Sequence, residues 1–220
     1  WCWKESATAG LDIVGYTGNA TARTIAHNLG VVPKTVWIGS RADDGWRPST
    51  ENITGTDQGS LKFFNGNAEG TGYFPATAPD ASNFSLSTHG SVNEDGDGFV
   101  AYVFAPIQGF SKFGTYEGNG NADGTFVYTG FRPAMVIIKN IDASDSWRMF
   151  DNKRSGYNPD NDYLYPNATS SESIDNIMDI LSNGFKLRKT DDVNAANTYM
   201  YMAWAEAPFV NSNGVPNNAR

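Results

Sequence analysis

The sequence predicts an all-β protein made of two tandem, duplicated antiparallel β-sandwich units of about 100 residues each. Three observations predict it. The first is a repeat. Ile13-Val-Gly-Tyr16-Thr-Gly18-Asn19, followed by Gly30-Val-Val-Pro33-Lys-Thr-Val36-Trp-Ile38, is written again 100 positions later as Phe113-Gly-Thr-Tyr116-Glu-Gly118-Asn119, followed by Gly130-Phe-Arg-Pro133-Ala-Met-Val136-Ile-Ile138. The second is spacing: short apolar or alternating runs are separated by Gly, Asn, Asp and Pro at roughly 8–12-residue intervals, as in sandwich strands. The third is that no strand-like run alternates with a helical pattern long enough for a crossover, which argues against a parallel sheet.

The repeat continues with one residue of drift. Trp46-Arg47 falls opposite Trp147-Arg148, Asn83-Phe-Ser-Leu86 opposite Gly184-Phe-Lys-Leu187, and Val92-Asn93 opposite Val193-Asn194. Register returns where residues 99–104 meet residues 199–204, followed by Pro106 and Pro208. Residues 11–106 therefore read as the first unit, 107–208 as the second and 209–220 as a polar C-terminal tail. Within residues 1–10, Trp3 holds the place of Phe104 and Trp204, so this stretch reads as the last strand of a preceding unit plus a linker. The chain then reads as the C-terminal part of a longer polypeptide; a trimmed mature protein is the alternative.

In the first unit, residues 11–17 alternate as a half-buried strand does. Gly18-Asn19-Ala-Thr turns the chain, Arg23-Thr-Ile25 returns it, and Asn28-Leu-Gly30 to Pro33 punctuates it again. Thr35-Val-Trp-Ile38 is an apolar run of strand length, closed by a hairpin-type Asp43-Asp-Gly45. Residues 49–60 read as loop, Leu61-Lys-Phe-Phe64 as a strand, and residues 66–82 as a long surface loop. Residues 83–87 form another strand, Asn93-Glu-Asp-Gly-Asp-Gly98 a turn, and residues 99–104 an aromatic closing strand. The second unit repeats this plan through Phe126-Val-Tyr128, residues 135–139 and Ser146-Trp-Arg-Met-Phe150. Residues 151–162 read as a charged loop. Residues 171–181 stay open between a helical turn, with Ile174, Ile177, Met178 and Leu181 on one face, and a buried strand over 176–181. The tail from Phe209 is expected to be extended.

Composition narrows the partners. Charged residues are 18% and the net charge is −8, with no block of Lys or Arg, so neither a phosphate backbone nor an anionic membrane surface is an expected partner. No apolar run approaches about 18 residues. The single cysteine, Cys2, excludes an internal disulfide and a thiolate metal site, and His27 and His89 are too few and too separated for a zinc centre.

Candidate sites are few. Asn119-Gly-Asn121-Ala-Asp123-Gly124 matches the first half of a calcium loop, with oxygen-bearing residues at alternate positions before a glycine. Gly130 stands where such a loop supplies a bidentate Glu, so an Asn/Gly turn is the competing reading and no cofactor is expected apart from Ca2+ there. Asn93-Glu94-Asp95-Gly96-Asp97 is richer in carboxylates but has no acidic counterpart after Val193. Trp46-Arg47 and Trp147-Arg148 form the repeated pair best suited to a ligand, a ring to stack on a sugar beside a guanidinium to grip a hydroxyl or carboxylate. The plainer alternative packs each Trp between sheets with its Arg pointing out. No two carboxylates are set at a defined separation across a cleft, and no nucleophile elbow occurs, so no enzyme is expected. Four N-x-S/T sequons, at Asn19, Asn52, Asn83 and Asn167, matter only in a secreted eukaryotic chain.

Several stretches resemble the C-terminal regions of large virion proteins of marine bacteriophages, described as tail-fibre or lectin-like. They are Trp1-Cys-Trp-Lys-Glu-Ser-Ala-Thr-Ala-Gly-Leu-Asp-Ile-Val14, Arg23-Thr-Ile-Ala-His-Asn-Leu-Gly-Val-Val-Pro33, residues 110–124, Phe126-Val-Tyr-Thr-Gly-Phe-Arg-Pro133 and Asp179-Ile-Leu-Ser-Asn-Gly-Phe-Lys-Leu-Arg188. The resemblance covers nearly the whole chain and departs most between Thr50 and Pro79. It implies a non-enzymatic module on the virion surface, part of a tail fibre or adhesin that contacts a host-surface glycan or receptor. It further implies a homotrimer and contacts with other virion subunits. It carries over no catalytic or ligand residue. The alternatives are a structural capsid decoration or head-fibre protein and, second, a polysaccharide depolymerase.

Overall fold

The computed structural model describes residues 2–42, 45–50, 72–154, 158 and 160–206. The fold is all-β and antiparallel, and the chain divides into two compact units at Pro106 and Ile107. The expected strand at residues 61–64 and the tail from Phe209 lie outside the described residues.

The first unit runs β1 (Leu11–Thr17), β2 (Arg23–Ala26), β3 (Thr35–Ser40), β4 (Trp46–Thr50), β5 (Asn83–Leu86), one helical turn α1 (Gly90–Asn93) and β6 (Gly98–Phe104). A four-stranded sheet has the order β1-β6-β3-β4, and β2 pairs with β5 in a second sheet. Alternation puts Val36, Ile38, Phe99, Ala101 and Val103 of the larger sheet against Ile25, Phe84 and Leu86 of the smaller one. Each buried Val, Ile, Leu or Phe among them contributes about 1.5–3 kcal/mol. These two sheets around one core are what the period-two pattern led one to expect.

The second unit runs β7 (Ser111–Glu117), β8 (Phe126–Tyr128), β9 (Pro133–Asn140), β10 (Arg148–Asp151), β11 (Asp160–Leu164), β12 (Ser173–Leu181), β13 (Gly184–Leu187) and β14 (Thr198–Ala205). Its strands form one sheet of order β7-β14-β9-β10-β11-β12-β13-β8, rolled around a single core that draws residues from all eight. The expected two-sheet sandwich is corrected here: β11 and β12 join the two layers into a nearly closed barrel. The open stretch settles as strand from Ser173 to Leu181 rather than helix. Met178 pairs with Leu187 and Ile180 with Phe185, while Ile174, assigned to the apolar helical face, is 78% exposed. The charged loop expected through residue 162 already contains the start of β11. Residues 2–5 carry no strand; only Ser6 makes an isolated bridge, to Leu11.

The repeated residues occupy matching registers. Tyr16 lies opposite Phe99 and Tyr116 opposite Tyr199; Ile38 lies opposite Arg47 and Ile138 opposite Arg148. The repeated glycines have two separate physical reasons. Gly30 and Gly130 hold φ of 69° and 87°, a left-handed conformation that a Cβ disfavours. Gly18 and Gly118 have no such φ, but a Cβ on either would run into the backbone carbonyl of Glu94 or Ala195.

Candidate functional site

A tyrosine and an asparagine organise the loop end of each unit. Tyr16 Oη donates to the Val92 carbonyl at 2.7 Å, and Tyr116 Oη donates to the Val193 carbonyl at 2.7 Å. Burial pushes both phenols above their ordinary pKa, with Arg23 partly opposing it at Tyr16 and Tyr199 reinforcing it at Tyr116. The next residue, Asn93 or Asn194, is fully buried. Asn93 Nδ2 donates to the Thr21 and Ser87 carbonyls, at 2.8 and 2.9 Å.

Asn194 explains the calcium-like loop. The two N–H groups of its Nδ2 are shared among three acceptors, Asn119 Oδ1 at 2.9 Å, the Asn121 carbonyl at 2.8 Å and the Lys189 carbonyl at 2.6 Å. Asn119 Oδ1 also accepts from the Asn121 amide, and Asn121 Oδ1 accepts from the Asp123 amide, at 3.0 and 2.9 Å. Asp123 turns outward to pair with Lys186, which holds its carboxyl below the usual range. The Asn119 and Asn121 side-chain oxygens are thus engaged by N–H donors. No group of three or more His, Cys, Asp or Glu suited to a metal occurs among the described residues.

The Trp–Arg pairs are drawn inward. Trp147 is fully buried, which corrects its candidacy as a sugar-stacking platform: no ring face is left for a ligand. Its arginine does not point out either. Arg148 lies over the rings of Tyr165 and Tyr163, at 4.5 and 5.4 Å, and donates to Asp192 Oδ1 at 3.2 Å. Arg47 repeats this, 4.4 Å over Tyr73, with Nη2 donating to Ser91 Oγ at 3.1 Å. The Nε of each arginine is buried without a hydrogen-bond partner among the described residues; the ring faces, with Asp192 at Arg148 and Ser91 at Arg47, stabilise the guanidinium. Both arginines are therefore braces between a sheet and the loop beyond it. At Asp192, burial works to raise the carboxyl pKa, but Lys189 and Arg148 outweigh it and hold it low.

Trp46 differs from Trp147. It lies across Gly39, whose missing side chain leaves room for the indole, stacks on Tyr102 at 4.8 Å and 22°, and is only half-buried. It belongs to a file of rings on the outer face of the β1-β6-β3-β4 sheet. Trp37 and Trp3 both meet Phe104 edge-on, at 5.7 and 6.4 Å. Trp37 and Tyr102 are half-buried, and Trp3 and Ile13 are 40% and 39% exposed. The residues 100 positions after Trp37 and Tyr102, Ile137 and Met202, are buried. The half-exposed file on this sheet is not repeated at Ile137 and Met202; the exposed rings of the second unit, Phe126 and Tyr128, lie on β8 instead. The sequence held a signal for the file, in Trp37 on β3 and the alternating Tyr102 and Phe104 on β6, but these runs read only as an apolar strand and an aromatic closing strand.

A family model described as a domain of unknown function (DUF7483) matches residues 1–208. No curated protein and no solved structure matches the chain.

Proposed function

The chain belongs to the DUF7483 family, and from that premise we propose that it is a non-enzymatic, glycan-contacting module on the surface of a phage virion, part of a tail fibre or adhesin. The observation that carries this reading is the half-exposed file of Trp3, Trp37, Trp46 and Tyr102 on one sheet face. Rigid aromatic rings lose little entropy on binding and offer flat apolar faces beside polar edges, which suits the C–H faces of sugars. The frame is two tandem duplicated units; the matching registers of Tyr16 and Tyr116 and of Arg47 and Arg148 support that reading. The resemblance to marine phage fibre proteins supports the virion surface, a homotrimer, and neighbouring virion subunits as partners. Binding through rings and hydroxyls requires neither a cofactor nor a catalytic pair.

The test is adsorption of the purified 220-residue chain to susceptible bacteria, with their extracted surface polysaccharide as competitor. Saturable adsorption that the polysaccharide displaces is expected. Failure to adsorb to any host, or adsorption indifferent to polysaccharide, overturns the reading.

A further inference from the structure

We infer that the open pocket at the end of β3 in the first unit binds a single sugar ring, preferring an amino-bearing over a neutral sugar and rejecting an acidic one; this rests on the glycan reading above. The pocket has a volume of about 290 Å³ and is lined by Ser40, His89, Gly90, Ser91, Glu94 and Asp97, with Ala42 at its side. That is close to the lower end of small-ligand sites. Its groups are of the kind that hold a polyol: two carboxylates to accept from hydroxyls or an amine, two serine hydroxyls, and an imidazole.

The inner wall is built rather than incidental. Ser91 is only 4% exposed, and its hydroxyl accepts from Arg47, which is braced over Tyr73. His89 packs against the same Tyr73 at 4.2 Å, and its Nδ1 accepts the Ser91 amide at 3.1 Å, which leaves the ring proton on Nε2. Behind the wall, Arg47 is engaged by Ser91 and the Tyr73 ring. The charged groups lining the pocket, Glu94 and Asp97, are both acidic, on a chain of net charge −8. An ammonium gains charge-assisted hydrogen bonds there, while a carboxylate-bearing sugar meets like charge.

The second unit gives the contrast. Asn140 and Asp192 stand 100 and 101 positions after Ser40 and Ser91, and the cavity that they line holds only about 10 Å³. There the polar groups meet each other: Asn140 Nδ2 donates to Asp145 Oδ2 at 2.7 Å, the Thr198 amide to Asp142 Oδ2 at 2.7 Å, and Arg148 to Asp192. Residues 141–147 thus fill with their own groups the space that the first unit leaves open. One frame carries a closed version and an open one, and the open one has room for a ligand.

The experiment is an amide-resolved NMR titration of the whole chain at about pH 6.5, below the usual range of an amine, with methyl β-glucosaminide, methyl β-glucoside and methyl β-glucuronide. Saturable shifts are expected at Gly90, Ser91 and Glu94 with the glucosaminide. The glucoside should bind about fivefold more weakly and the glucuronide should produce none. The double variant Glu94→Gln, Asp97→Asn should lose the preference for the amine while its thermal melting stays that of the wild type. Binding of the glucuronide as tight as that of the glucosaminide overturns the inference, as does an unchanged amine preference in the variant. Shifts confined to the indoles of Trp37 and Trp46 sink the pocket and leave the glycan reading standing. No shift with any of the three sugars sinks the pocket too, and the adsorption experiment then decides the wider reading separately.

Discussion

At the scale of single residues, two buried polar side chains set the character of the second unit. Asn194 draws together the Asn119 side chain and the Asn121 and Lys189 carbonyls, much as a cation gathers oxygens in a calcium loop. The two arrangements share a sequence signature because both need converging oxygens; only the buried donor separates them. Asn194→Ala should destabilise the protein by about 3 kcal/mol, since buried acceptors lose their partner, as read from urea unfolding. Asn194→Asp should not restore it, because a carboxylate sets acceptors against acceptors. Lys139 is fully buried on β9, its Nζ donating to the Asn140 carbonyl at 2.5 Å and the Ala143 carbonyl at 3.3 Å. Burial pushes its amine down from 10.5 to about 8, with Asp145 opposing and Arg148 reinforcing the shift. Between those values the unfolded chain keeps a proton that the folded chain has released, so stability rises with pH through that window. The rise should total about 3 kcal/mol and be absent in Lys139→Met. Parallel urea midpoints for the two proteins from pH 7 to 10.5 would contradict it.

At the scale of elements, the strands with apolar runs were legible and the polar ones were not. β3, β6, β9 and β14 announce themselves by Thr35-Val-Trp-Ile38, Phe99-Val-Ala-Tyr-Val-Phe104, Met135-Val-Ile-Ile138 and Tyr199-Met-Tyr-Met-Ala-Trp204. β11 is Asp160-Asn-Asp-Tyr-Leu164, a composition that favours turns; its strand state comes from pairing with β10 and β12, which local propensity does not reveal. The turn α1 was hidden for the same reason: Gly90-Ser-Val-Asn93 is a poor helix former, and His89 at its N-cap supplies the missing acceptor. The repeated glycines were visible as repeats, but their purpose appears only in space. Gly118→Ala should cost about 3 kcal/mol by forcing the Ala195 carbonyl away. In hydrogen exchange the lost protection should fall on β7 and β14, and for Gly18→Ala on β1 and β6. Wild-type protection in either variant would contradict the close approach.

At the scale of the molecule, two units with matching registers differ in what they leave open. The second fills the end of β9 with its own loop and buries Ile137 and Met202. The first keeps a pocket at the end of β3 and half-exposed rings at Trp37, Trp46 and Tyr102. The sequence showed the repetition and, in Trp46-Arg47, one residue of the aromatic face; it paired that residue with Trp147, which burial removes from the surface. Sequence periodicity says which side of a sheet a ring is on, not whether that side is covered, and for this chain that distinction separates Trp147 from Trp46. The most direct measurement is a glycan array probed with the whole chain and with Trp37→Ala and Trp46→Ala variants that still melt cooperatively. Retention of neutral or amino-bearing bacterial glycans by the wild type is expected, weakened about tenfold or more in each variant. Retention of no glycan by the wild type, or equal retention by all three proteins, would contradict the assignment.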